Sequence, residues 1–329
     1  MKDRNFFHNP FFQAFAIIFI AGCFLYLDFY VYKNITRRLI NPFGKAVQAK
    51  AIDLKDYLPF DENSKTVKIE AAENKKFSSG EKMPVLDGAT ALLPVYSAFF
   101  HSLYPKEACV FDGTDFKSES YLQKHNTAGA FKALVEKRAD IVFCAKPSEK
   151  QVEYAKQNGI EFVLVPVGLE SFVFLVNKDN PVTELSVEQI RGIYTGKYKR
   201  WSEVGGDNTK ISALTCKEGG GSQTAMLSFM NGTPIKTVNN AFEGRSIGYS
   251  FRFYVEGIVN DANLKMISLN GIEPTKENIR NKTYPVFSSF YAIYRASDSD
   301  REDIKKVIDF ALSKTGQEIV EKTGYVSLE

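Results

Sequence analysis

Residues 162–177 read Phe-Val-Leu-Val-Pro-Val-Gly-Leu-Glu-Ser-Phe-Val-Phe-Leu-Val-Asn. Two runs rich in Val, Phe and Leu, 162–167 and 172–177, stand either side of Gly168-Leu169-Glu170, and such runs are the mark of buried strands. Upstream, strand-like and helix-like segments alternate: a strand at 84–86, a helix from Thr90, a strand at 108–111, a helix over 128–137, a strand at 140–143 and a helix at 149–157. This alternation predicts an α/β sheet with helices on its faces. Downstream the chain enters a second lobe, with helices at 186–194, from Ser222 and around 250–255, and strands at 211–215 and 265–268. Residues 284–294 form a strand-like return crossing. Ile304, Val307, Ile308 and Leu312 then recur at helical spacing within 300–322, ahead of Gly324. The expected division is 66–175 with 285–329 as one lobe and 176–284 as the other.

A chain of 329 residues with 44% hydrophobic and 25% charged residues is large enough to bury a core in each lobe. Its 42 basic and 39 acidic residues leave a net charge of +3 with no block of one sign, which argues against a nucleic-acid partner. The three histidines, His8, His101 and His125, are scattered and no zinc-type cysteine pairing occurs, so neither metal nor cofactor is expected.

The N-terminus carries a different signal. A head at 1–10 with Lys2 and Arg4 precedes the run 11–32, apolar except for Gln13 and Asp28. About 20 apolar residues cross a bilayer, and a charged head before such a run also suits an export signal. Within it, Ile20-Ala21-Gly22-Cys23 resembles the lipobox of bacterial lipoproteins, which makes Cys23 a lipidation candidate. The run continues apolar to Tyr32, as an uncleaved transmembrane anchor would. Either reading gives a cytoplasmic or removed head, a juxtamembrane segment at 33–65 with a helix near 45–58, and a domain held at the cell membrane outside the cytoplasm. Lys33, Arg37 and Arg38 favour the opposite orientation, but long domains translocate largely regardless of flanking charge.

Three loops lead from a strand into a helix: Asp87-Gly88-Ala89-Thr90, Asn126-Thr127-Ala128-Gly129-Ala130 and Glu218-Gly219-Gly220-Gly221-Ser222-Gln223-Thr224. The free N–H groups of a helix start favour an anion, and small residues let it approach. The first two loops read equally as ordinary caps. Three glycines before Ser222 exceed what a cap requires, and the third loop reads as an anion cradle or as a hinge. A P-loop is excluded because no Lys-Ser/Thr pair follows the glycines. Gly192 to Lys197 has one residue too few between its glycines and Tyr198 after its lysine.

These stretches resemble the phosphate-binding proteins of phosphate ABC transporters. Gly88-Ala89-Thr90 with Pro94-Val95-Tyr96 is similar to that family's first phosphate loop, and Thr127-Ala128-Gly129 to its Ser-Ser-Gly turn. Asn180-Pro181-Val182, Leu185 to Ile190, Ile193 to Lys197 and Trp201 to Gly206 resemble its signature stretch. Gly219 to Thr224, Ile247 to Ser250, Pro274 to Ile279, Gly316-Gln317 and Gly324-Tyr325-Val326 extend the likeness over about 84–327. The resemblance implies a two-lobed type II periplasmic-binding fold and no enzymatic activity. It also implies a small oxyanion ligand, phosphate favoured, and an ABC permease partner. Carried over residue by residue, it places Ala89, Thr90, Ala91, Thr127, Gly220, Gly221 and Ser222 at the ligand. Three positions depart from the pattern: Ala145 replaces an Asp that accepts a hydrogen bond from protonated phosphate, Cys216 an Arg, and Gly220 a Ser. Lys146 and Lys217, beside the first two, would restore positive charge, as point charges rather than a bidentate fork.

Two alternatives stand beside the transport reading. An envelope or sensory module could keep the fold without binding phosphate tightly, as Ala145, Cys216 and Gly220 would suit. An enzyme would need Cys144 or Cys216 activated as a thiolate, yet no motif ties His101 or His125 to either; small buried cysteines are the plainer reading.

Overall fold

A computed structural model describes residues 26, 52–78, 80–216, 218–236 and 245–328. In chain order its elements are β1 (Leu86–Gly88), α1 (Leu93–Leu103), α2 (Asn126–Val135), β2 (Ile141–Cys144), α3 (Glu149–Gln157), β3 (Phe162–Asn177), β4 (Glu184–Leu185), α4 (Val187–Tyr194), β5 (Ile211–Ala213) and α5 (Gly221–Met230). They continue with β6 (Arg245–Phe251), β7 (Leu264–Met266), β8 (Ser268–Leu269), α6 (Lys276–Arg280), β9 (Phe287–Arg295), α7 (Glu302–Leu312) and α8 (Lys314–Thr323).

The two strands expected over 162–177 are one. Its first part pairs antiparallel with β9, from Phe162 opposite Arg295 to Ser171 opposite Phe287. Its second part pairs with β6 and β7, from Phe172 opposite Phe251 to Asn177 opposite Leu264. Gly168-Leu169-Glu170, expected as a spacer, stays in the ladder because a bulge between Pro166 and Gly168 absorbs the irregularity. Proline has no N–H to give there, and a Cβ on Gly168 would lie 2.5 Å from the Phe290 ring. The resulting order is β1-β2-β9-β3-β6-β5, with β7 also on β3 and a separate parallel pair of β4 and β8.

Two cores flank this shared strand. One gathers α1, α7 and α8 around Leu93, Phe99, Phe100, Val307 and Ile319. The other gathers Phe172, Phe174, Tyr194, Trp201, Met226, Phe229 and Tyr249 from β3, α4, α5 and β6. They define lobes 1 and 2. The helix expected around 250–255 is present from Arg252: β6 runs on to Phe251, and residues 252–253 turn helical and lead into a π-helix at Tyr254–Val259. Pairing of Ile247 to Phe251 with Phe172 to Val176 buries Ile247 and Tyr249 in lobe 2 and keeps the first two residues of that range in the strand. The strand expected at 108–111 reduces to a 3₁₀ turn at Lys106–Ala108 and a single bridge between Phe111 and Phe116.

Every residue of α1 except His101 is buried. Residues 52–77 cover its outer side, placing Ile52, Leu54, Tyr57, Ala71 and Phe77 in the lobe 1 core. Ser97 Oγ donates to Tyr57 O at 2.6 Å, Ser102 Oγ to Ile69 O, and Phe77 N to Leu103 O at 2.8 Å. The described part of the expected juxtamembrane helix holds only a 3₁₀ turn, Leu54–Tyr57, capped by Asp53. The run 11–32, save Tyr26, and Cys23 with it, lie outside the described residues. Among the described residues no helix is long and apolar enough to cross a membrane.

Glu170 sits where β3 passes between the lobes, buried with its carboxylate facing the end of β6. Oε1 accepts from Ser171 N at 2.8 Å and Oε2 from Phe253 N at 3.1 Å. Arg252 Nε is 3.6 Å away, while its Nη atoms bind Glu256 and, at 2.6 Å, Gly324 O. Burial pushes the Glu170 carboxyl up to about 7, against the opposing pull of Arg252 and the two N–H donors. The folded state therefore holds this proton more tightly than the unfolded state. Stability is highest below pH 4.5 on this account and is lost as pH rises toward 7, by on the order of 3 kcal/mol. Denaturant titrations from pH 4.5 to 7.5 should show that slope, and Glu170→Gln should remove it whatever it does to absolute stability.

Candidate functional site

The first two helix-start loops are joined by one carboxylate. Asp87, wholly buried at the centre of β1, accepts Gly88 N at 2.7 Å and His125 N at 2.9 Å on Oδ1, and His125 Nδ1 at 2.7 Å on Oδ2. Gly88 must be glycine because a Cβ there would lie 2.5 Å from Phe143 O. Ala89 N donates to that same carbonyl at 2.8 Å, so this N–H is committed to β2. Thr90 and Ala91, half-buried, then form a 3₁₀ turn that leads into α1, and Ala91 O accepts Tyr325 Oη at 2.6 Å.

The second loop opens α2, where His125 gives no side-chain cap but Asn126 Oδ1 accepts Gly129 N at 3.3 Å. Asn126 adopts φ of +59°, a left-handed conformation that asparagine tolerates. Thr127 is 9% exposed, and its side chain makes no hydrogen bond among the described residues. The third loop belongs to lobe 2 and faces it: a Cβ on Gly221 would stand 3.4 Å from Thr127 Oγ1, and one on Gly219 3.7 Å from Ala128 Cβ. Gly219 itself has φ of +77°. Gly220 caps α5 without a side chain, and Gly221 and Ser222, half-buried, form its first turn. Two further contacts cross between lobes, Lys150 with Glu218 and Gln151 Nε2 to Gly219 O at 3.4 Å.

Thr127 and Gly221 are thus brought together, and Asp87 links Thr90 to the same neighbourhood. Lys146 is exposed on the loop after β2 beside Ala145. Lys217 lies outside the described residues. Cys216 packs against the lobe 2 core, and its N–H donates to Gln223 Oε1 at 3.1 Å and Tyr249 Oη at 3.0 Å. Cys144 is wholly buried, and burial raises its thiol pKa, which suppresses the reactive thiolate. Cys109, Cys144 and Cys216 form no disulfide among the described residues.

Sequence reasoning missed Asp87 and His125 as a pair. Asp87 stood in view at the head of the first loop, but 38 positions separate it from His125 and no spacing rule joins them. The hydrogen bond to Asp87 raises the His125 pKa, against partial desolvation of the ring. The proton is held more tightly in the folded state, so the pair stabilises fully below pH 6.5 and loses that contribution as pH rises through the elevated value. In NMR titrations His125 should titrate above 6.5, and Asp87→Asn should bring its midpoint down; an unchanged midpoint would remove Asp87 as the cause.

Residues 86–315 match the family model of the PBP superfamily domain. The Phosphate-binding protein PstS of Borreliella burgdorferi is 23% identical over 180 residues, 49% of this chain and 64% of that protein, so the match spans less than two thirds of its length. The Staphylococcus aureus protein of the same name is 24% identical over 260 residues, 73% of this chain and 77% of its own. Among solved structures, a phosphate ABC transporter substrate-binding protein from Clostridium perfringens, with bound phosphate, superposes with a TM-score of 0.56 at 24% identity. It covers 75% of this chain and 100% of its own. An ABC-type phosphate transport receptor from Vibrio cholerae gives 0.52 at 20% identity, covering 73% and 98%. With two lobes built on one shared strand and a family match across most of both, the chain belongs to the PBP superfamily, as a divergent relative of its phosphate-binding proteins.

Proposed function

We propose that the protein is an extracytoplasmic solute-binding protein that captures phosphate or a related small oxyanion between its lobes and delivers it to an ABC permease. The observation that carries this reading is the Thr127 side chain, 9% exposed, whose hydroxyl makes no hydrogen bond among the described residues and faces the uncapped start of α5 at Gly221. N–H groups at a helix start and the helix dipole favour negative charge there. Thr90 and Ala91, Gly220, Gly221 and Ser222 would add donors, with Lys146 and Lys217 supplying positive charge nearby. Residues 11–32, through an uncleaved helix or a lipid on Cys23, would hold the domain on the outer face of the cell membrane. Closure would be a hinge motion about β3 and the chain segments that cross beside it. No chemical step on the ligand is required.

A second reading is favoured by Cys216. The residue that precedes the glycine loop turns its N–H to Tyr249 and Gln223 and brings no guanidinium to the cleft, as suits an envelope or sensory module that kept the fold without tight anion binding.

Melting the protein with phosphate at about one hundred times its dissociation constant should stabilise it by roughly 2.7 kcal/mol. Ser222→Ala should weaken binding by about 1.5–3 kcal/mol, the range for a hydrogen bond to a charged group, and Gly221→Val should weaken it further by crowding Thr127. Equal stabilisation of parent and both variants would move the ligand elsewhere. No stabilisation by phosphate or any other small oxyanion would put the module reading ahead.

A further inference from the structure

We infer that the cleft offers its ligand hydrogen-bond donors and no charged acceptor, so that it takes a fully ionised tetrahedral oxyanion in preference to one that carries a proton. The inference rests on the oxyanion reading above and names the class of anion. Its ground is the state of the acceptors in the three loops. Both Asp87 oxygens are occupied, by Gly88 N, His125 N and His125 Nδ1. Ala89 O accepts Leu92 N at 2.9 Å, and Thr90 O accepts Leu93 N. Gly219 O accepts Gln151 Nε2, and Gly220 O accepts both Thr224 N at 3.0 Å and Thr224 Oγ1 at 3.2 Å. Glu218 is exposed and held by Lys150.

The donors are in the opposite condition. α5 has no side-chain cap, so the N–H groups of its first turn point onward from the helix end. At the start of α2, Asn126 Oδ1 takes up Gly129 N at 3.3 Å and leaves the other first-turn N–H groups uncapped. Thr127 is 9% exposed, and its Oγ1 stands beside Gly221 and makes no hydrogen bond among the described residues. The two helix dipoles favour a doubly charged anion over a singly charged one. A protonated ligand oxygen, by contrast, must donate, and the acceptors left to receive it are uncharged: the hydroxyls of Thr127 and Ser222 and loop carbonyls that already accept a bond. A donor without an adequate partner in a closed site weakens binding by about tenfold to a hundredfold.

Calorimetric titration of the full-length protein with sodium sulfate and sodium phosphate, from pH 5.5 to 8.5, tests this. Sulfate stays doubly ionised throughout, whereas inorganic phosphate, a weaker acid than the phosphate esters, loses its second proton at about pH 7. Titration of His125, Lys150 or Glu218 acts on both anions alike, so the ratio of the two affinities isolates the ligand's own proton. Sulfate should bind within about tenfold of phosphate at pH 8.5, and phosphate should lose up to about tenfold relative to sulfate per pH unit below its ionisation. Thr127→Val should weaken both anions. Phosphate preferred over sulfate a hundredfold or more, or a ratio that moves toward phosphate as pH falls, would overturn the inference and leave the binding-protein reading standing. Binding of neither anion at any pH would overturn both.

Discussion

The architecture depends on one strand having no break. β3 satisfies its backbone against β9 in lobe 1 and against β6 and β7 in lobe 2, so the two cores share a ladder and neither can choose its register alone. A slip of one residue would turn Phe172, Phe174 and Val176 out of the lobe 2 core together. The bulge at Pro166 to Gly168 lets the strand change neighbours without losing its pairing, and it lies just before the carboxylate of Glu170. That buried carboxylate marks the passage between lobes, where Arg252 and the Phe253 N–H approach it from the second crossing and Leu169 exchanges backbone bonds with Val326 beside it.

Within lobe 1, Asp87 does for the cleft what β3 does for the fold. A buried carboxylate is costly unless every oxygen is satisfied, and here the donors that satisfy it come from two loops that carry candidate ligand contacts. Gly88 lets the chain pass close to Phe143, and His125 places its ring and its N–H on the same acid. The start of α2 is thereby held against the loop that leads into α1, while α5 approaches from the other lobe with glycines that leave room for Thr127.

Alternating strand and helix patterns made the lobes legible before any coordinates, because periodicity and capping residues are local signals. The helices at α3 and α4 follow from their Ser148 and Ser186 capping boxes, which need only neighbouring residues. Where long-range pairing decides the outcome, local reading falls short: it assigns no strand to 245–249, which becomes β6 through its pairing with β3. The glycine loop was visible because three consecutive glycines are conspicuous. The acceptors' occupation was not, since Gln151 with Gly219 and Asp87 with His125 are joined only in three dimensions.

Residues 52–77 add a mechanical asymmetry. They are bonded along α1 through Ser97, Ser102 and Leu103, and their apolar side chains enter the lobe 1 core. Tension applied to the chain ahead of residue 52 would therefore be borne by lobe 1, spread over the length of a helix buried on nearly every side. Lobe 2 would feel that load through the crossing segments and the few polar contacts between the lobes, and so would swing as the outboard arm of the molecule.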